Sequence, residues 1–167
     1  KISIPPTVLF SVIGKIDDAA KAVTLDAKRA GDLVYVIGET KAELGGGEYF
    51  AMLGHTGNAV PSIDPDNANA LYQAVWRITQ AELAQSLSAP GPGGLAVALA
   101  KCAMAGRLGL DVDVTKIPAR GDLAVQECLF SESGCRFLAT VSPENAAEFE
   151  KQLNGVPFAK IGAVTSE

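Results

Sequence analysis

Hydrophobic positions along the chain fall into blocks whose spacing shifts from near-continuous to helical to alternating. The first block, residues 7–13 (TVLFSVI), is rich in β-branched and aromatic side chains and closes at Gly14, which predicts a strand. Ile4-Pro5-Pro6 ahead of it reads as extended chain, because proline disfavours helix in the residue before it. A helical turn over 15–22 and a short strand over 23–25 come next. Gly31-Asp32 then turns the chain into 33–37 (LVYVI), an unbroken apolar run that predicts a buried strand ending at Gly38.

Helical spacing takes over further on. Residues 48–53 (EYFAML) predict a helix opened by three glycines. Asp64 as N-cap and Pro65 in the first turn open the longest helix, with Ala68, Leu71, Ala74, Val75, Ile78 and Leu83 along its apolar stripe. Trp76 belongs at the edge of that stripe. Residues 90–106 (PGPGGLAVALAKCAMAG) are apolar nearly all round once past the glycines, so this helix is predicted to sit at the centre of the domain. Too short and, at Lys101, too charged, it does not qualify as a membrane span.

Alternation returns over 108–114 (LGLDVDV), predicting a strand with Asp111 and Asp113 on one solvated face, where they solubilise rather than hold a metal. A short helix over 122–130, a polar turn over 131–134 and a strand over 136–141 (RFLATV) follow. Ser142-Pro143-Glu144 is a helix start with Ser142 as N-cap, Asn154-Gly155 stops that helix, and 158–164 (FAKIGAV) is the last strand. The last strand–helix–strand set makes a βαβ-like unit. With no internal repeat and no linker, the pattern predicts a single α+β domain, helices packed on a mixed β-sheet.

Composition removes several classes of function. The 167 residues carry a net charge of -5 and no Lys/Arg cluster, which argues against nucleic acid and anionic membranes as partners. Cys102, Cys128, Cys135 and the single histidine, His55, are too dispersed for a zinc signature or a disulfide framework. No signal peptide is visible at the start. A reduced, cytoplasmic protein without a protein-ligated metal is the expectation, and a start at Lys1 points to a piece cut from a longer chain.

Two stretches carry candidate chemistry. Gly45-Gly46-Gly47 precedes Glu48, and Gly93-Gly94 precedes the apolar helix. A helix N-terminus has unpaired N–H groups and partial positive charge, and glycines leave those groups accessible to an anion. A flexible turn and a packing helix with a glycine-rich start explain the same residues. The 45–47 stretch is not a Walker loop, since no Gly-Lys-Ser/Thr follows. His55 reads as a loop histidine.

Longer matches sharpen this. Residues 31–41 (GDLVYVIGETK) with 43–49 (ELGGGEY) resemble the GDLIYLLGETKxELGGSEY segment of the phosphoribosylformylglycinamidine synthase family. Residues 93–100 (GGLAVALA) are similar to its GGLAVALAE helix, 129–133 (LFSES) with Arg136-Phe137-Leu138 to its LFSESxxRFLV stretch, and Pro143-Glu144-Asn145 to its PEN helix start.

The resemblance implies an AIR-synthase-related C-terminal domain of an enzyme that amidates formylglycinamide ribonucleotide, using ATP with magnesium and ammonia from glutamine. Implied partners are an N-terminal AIR-synthase domain of the same protein, a glutaminase subunit or domain, and a phosphorylated small molecule; the domain alone would be inactive. The implied phosphate-binding residues are Gly45, Gly46, Gly47, Glu48, Gly93, Gly94, Ser131, Glu132, Ser133 and Arg136, with no metal ligand. Two departures matter: Ser88-Ala89-Pro90-Gly91-Pro92 stands where the family has His-Asp-Val-Ser-Asp, and Gly47 stands for the serine of LGGSEY. The alternatives are another enzyme of the superfamily (aminoimidazole ribonucleotide synthase, selenophosphate synthetase, thiamine-phosphate kinase or a hydrogenase-maturation factor) and a non-catalytic scaffold.

Overall fold

The computed structural model describes residues 8–167. Five strands, β1 (Leu33–Ile37), β2 (Ser86–Ser88), β3 (Gly109–Val112), β4 (Phe137–Val141) and β5 (Phe158–Thr165), form one sheet in the order β2-β4-β1-β5-β3. Every strand pairing is antiparallel, so the α+β class holds while the sheet is not mixed. Among the described residues, parallel pairing survives only as an isolated bridge between Thr40 and Ala119. β4 and β5 do run parallel, but β1 lies between them and bonds to both, so the βαβ-like unit is a split one.

β1 alternates strictly across the sheet. Val34 and Val36 face one layer, made by α3 (Gly94–Gly106) and α4 (Val125–Phe130) through Leu95, Leu99, Cys102 and Cys128. Tyr35 and Ile37 face the other, where α2 (Pro65–Gln80) and α5 (Ala146–Gln152) contribute Leu71, Ile78, Phe149 and Leu153. The domain is therefore a three-layer sandwich with β1 at its centre. This corrects the expectation that 90–106 would be central. Leu95, Ala98, Leu99 and Cys102 are buried, while Ala100, Lys101, Met104 and Ala105 are exposed. Alanine faces water at little cost, so a helix of small residues needs no second packed side.

Other departures have local causes. Residues 8–13 form no strand; they lie outside any sheet, with Phe10 86% and Ile13 99% exposed. Ile4-Pro5-Pro6 falls outside the described residues. The 23–25 stretch is no strand either, although Thr24 C=O accepts a bond from Leu87 N–H at 3.0 Å. β2 has no counterpart in the hydrophobic pattern, because Ser86-Leu87-Ser88 is short and polar; its Ser86 hydroxyl bonds the Thr140 hydroxyl at 2.7 Å inside the sheet. α5 starts at Ala146 with Asn145 as N-cap, and Ser142 instead begins a turn whose carbonyl accepts from Asn145 N–H. Trp76 is exposed on α2 rather than tucked at its edge.

Candidate functional site: two glycine loops joined by one carboxylate

Asp64 caps α2 with its own side chain, accepting from Asp66 and Asn67 N–H. The two helices behind glycines have no such cap. α1 (Glu48–Met52) starts after Gly47 and α3 after Gly93, and neither N-cap makes a side-chain hydrogen bond. Their donors are met from elsewhere. Oε1 of Glu132 accepts from Glu48 N–H and from Gly93 N–H, both at 2.9 Å. An anion placed on two helix N-termini is favoured by the partial positive charge of each.

The two glycine clusters thus lie side by side, as an anion site would require, but their amides are not bare. Gly45 N–H donates to Ala59 C=O at 2.8 Å, Gly46 N–H to Thr56 C=O at 2.7 Å, Gly47 N–H to Leu44 C=O at 3.3 Å and Gly94 N–H to Gly91 C=O at 2.9 Å. The expectation of unpaired glycine N–H groups is corrected on this point. The loop folds back on 56–59, and a carboxylate of the chain itself stands where an external anion was anticipated.

Glu132 is carried on a turn with a buried base. Arg136 is 2% exposed; its Nε donates to Ser133 C=O at 3.1 Å, its Nη1 to Thr40 Oγ1 at 2.8 Å and its Nη2 to Ser131 C=O. Ser131 Oγ accepts from Glu43 N–H at 3.3 Å and Ser133 Oγ from Lys41 N–H at 3.1 Å. Ser131, Ser133 and Arg136 therefore bracket the 131–136 turn to the 40–43 segment and are buried. Desolvation lowers the Arg136 guanidinium to about 10 despite the opposing pull of Glu43.

Glu43 and Thr40 are the polar residues of this region that the sequence reading passed over. Oε1 of Glu43 accepts from Ser62 N–H at 2.9 Å and from Ser62 Oγ at 2.7 Å, with Lys41 Nζ 3.7 Å away. Burial works to raise its carboxyl, yet the Ser62 hydrogen bonds and the Lys41 charge outweigh it, and the group sits below its ordinary value. The signal available was a polar run, Glu39 to Glu43, wedged between a buried strand and a glycine triplet.

Elsewhere the chemistry is spare. A cavity of about 250 Å³ at the start of α2 is lined by Lys41, Ser62, Asp64, Leu71, Arg120 and Cys135, but by neither glycine loop. Its cations are already partnered, Arg120 with Glu39 at 3.0 Å and Lys41 with Ser62 C=O at 3.0 Å. His55 lies in an exposed loop with its ring edge-on to Phe50. Asp113 caps a short 3-10 turn through Thr115, and Asp111 is exposed. Among the described residues no three His, Cys, Asp or Glu side chains come together to hold a metal. No helix among them is long and apolar enough to cross a membrane.

A split βαβ sheet presenting two glycine loops on one carboxylate defines the class: a loop-bearing α+β domain. Residues 29–167 match the model of the family described as AIR synthase related protein, C-terminal domain, and the chain belongs to that family. It is 37% identical over 98% of its length to the phosphoribosylformylglycinamidine synthase subunit PurL of Alkaliphilus metalliredigens, and 34% identical over its full length to that of Thermococcus sibiricus. It spans only 22% and 23% of those relatives. Among solved structures, PurL of Thermotoga maritima complexed with FGAR superposes with a TM-score of 0.78 at 24% identity, covering 89% of this chain and 26% of that one. Hydrogenase maturation protein HypE in complex with ATP superposes at 0.65 with 22% identity, covering 89% of this chain and 46% of that one. These superpositions establish the fold.

Proposed function

We propose that this chain is the C-terminal domain of a phosphoribosylformylglycinamidine synthase, which converts formylglycinamide ribonucleotide, ATP and ammonia to the amidine, ADP and phosphate. The observation that carries the reading is the 34–37% identity to PurL subunits along essentially the whole chain. In that reaction the amide oxygen attacks the γ-phosphate of ATP and ADP leaves. Ammonia then adds to the activated carbon, and the oxygen departs as inorganic phosphate.

This domain's part is to present the 45–48 and 93–94 loops as one wall toward the phosphate-bearing ligand. Direct contact with the Gly45 and Gly46 amides requires the exposed 56–59 segment to swing aside, since Thr56 and Ala59 now accept from them. Magnesium, which offsets the charge of ATP in such transfers, would be held by other parts of the intact enzyme. The exposed side chains of Val8, Leu9, Phe10, Val12, Ile13 and Ile16 support a covering partner, the N-terminal AIR-synthase domain of the same protein. The remaining partner is a glutaminase, the location the cytoplasm, and the domain alone is inactive.

The test is reconstitution. Joined to an N-terminal AIR-synthase domain, the chain should support ATP- and ammonia-dependent consumption of formylglycinamide ribonucleotide, and the chain alone should not. A folded, joined protein without turnover would sink the assignment. The bonded glycine amides favour one competing reading, a non-catalytic scaffold. Under it, Gly46→Val in the joined enzyme leaves turnover unchanged; under ours, turnover falls at least tenfold.

A further inference from the structure

Neither glycine loop can fix its own helix. N-caps are ordinarily Ser, Thr, Asp or Asn, whose side chains bond the first-turn N–H groups, and here both caps are glycine. The acceptor comes from 84 residues beyond Glu48 and 39 beyond Gly93, as a single oxygen shared between them. We propose that Glu132 is the positioning residue of the loop pair, holding the start of α1 and the start of α3 in one fixed relation so that they meet a phosphorylated ligand as a single surface. The inference rests on the functional reading above and changes the role of Glu132 within it, from ligand contact to internal clamp.

Three further observations support the clamp. Gly47 has φ -90° and ψ 169°, a conformation open to any residue, so its glycine is not there for backbone freedom. A Cβ at that position would stand 3.1 Å from both Cδ and Oε1 of Glu132. Glycine at 47 therefore gives the carboxylate room to reach the Glu48 amide. Second, the clamp has a rigid base: the bonds of Ser131, Ser133 and Arg136 hold the residues on both sides of Glu132. Third, the carboxylate is the only bonding partner the structure gives to the Glu48 and Gly93 N–H groups, so removing it releases both ends at once.

Charge has a consequence of its own. A ligand phosphate placed on the same two amides would stand against the Glu132 carboxylate, and like charges at hydrogen-bonding distance repel strongly. The clamp therefore orients the loops while leaving ligand contact to their outer faces.

Amide hydrogen exchange on the protein reads the clamp directly. In Glu132→Ala the Glu48 and Gly93 amides should lose protection together, by tenfold or more, while β1 amides are unchanged. Glu132→Gln keeps a side-chain carbonyl acceptor and should retain most of the protection at both. In the joined enzyme, Glu132→Ala should raise KM for the ribonucleotide at least tenfold with kcat within threefold, and Glu132→Gln should return KM to within threefold of wild type. Unchanged protection, loosening of one amide without the other, or an unaltered KM in an active enzyme would overturn the proposal. Should Glu132→Ala also loosen β1, Gly47→Ala decides: joint loosening of the two amides supports the clamp and independent loosening refutes it. A wild-type joined enzyme without turnover would remove the functional reading, while the exchange result still stands for or against the clamp.

Discussion

Asp32 and Glu43 are both buried carboxylates, and their surroundings send them in opposite directions. Asp32 is 2% exposed and its Oδ2 meets no donor. Burial raises its carboxyl, with Arg29 opposing and Glu144 adding to the shift. A raised carboxyl contributes its full stability below the unfolded value of 3.8 and loses it as pH climbs through the folded value. Asp32→Asn should therefore melt higher than wild type at pH 7, by about 2–4 °C per kcal/mol relieved, and the gain should vanish as pH falls through 3.8. Glu43 has the reverse sign. Its lowered carboxyl contributes above 4.5 and loses that contribution as pH falls through the folded value. Glu43→Gln should cost about 1.5–3 kcal/mol at pH 7, the range for hydrogen bonds to a charged group. Urea titrations at a series of pH values should show a flatter acid limb than wild type.

At the scale of elements, the start of α3 is where sequence and structure agree most closely and where the limits of pattern reading show. The helix runs from Gly94 to Gly106, the stretch its composition marks out, because prolines and glycines exclude helix before it and small residues favour helix after. Gly93 and Gly94 do need to be glycine: both have positive φ, at 82° and 65°. A Cβ on Gly94 would also stand 2.7 Å from Ser131 C=O and 2.8 Å from Leu129 C=O. Gly94→Ala should cost at least about 1–2 kcal/mol from the left-handed backbone alone, read as a lower urea midpoint. β1, α2 and α3 were legible because period and caps are local properties of the chain. Glu132 was legible as a site residue only through resemblance, and its real contacts were not. A bond spanning 84 residues leaves no local periodicity, and whether a glycine amide is free depends on where 56–59 folds. The strand expected over 7–13 failed for a related reason, since β-propensity marks a segment that fits a sheet without saying which sheet.

The whole molecule keeps its apolar surface unevenly. Inside, the sheet is covered on both faces; outside, Val8, Leu9, Phe10, Val12 and Ile13 stand in the open. Both sides of that run are apolar, which suits a strand lying inside someone else's sheet rather than on a wet edge. Replacing Phe10 and Val12 with Asp together should move the melting temperature by no more than about 2–4 °C, as expected for two exposed side chains whose substitutions each change stability by less than about 0.5 kcal/mol. The same pair should weaken docking of a separately made N-terminal domain at least tenfold, measured by calorimetric titration. Equal docking of variant and wild type would remove this run from the interface.

The position of β1 also bears on how the domain is made. It is the earliest of the five strands to leave the ribosome, and its two neighbours, β4 and β5, are the latest. Until β4 emerges, a ribbon of five nonpolar side chains has both rims of its main chain unmatched, and the rim that β5 covers stays so until residue 165 follows. Such delayed closure of distant pairings slows folding and invites aggregation. A nascent chain halted before α5 is therefore a ready client for chaperones, and the pace of translation from β4 through β5 governs how long that exposure lasts.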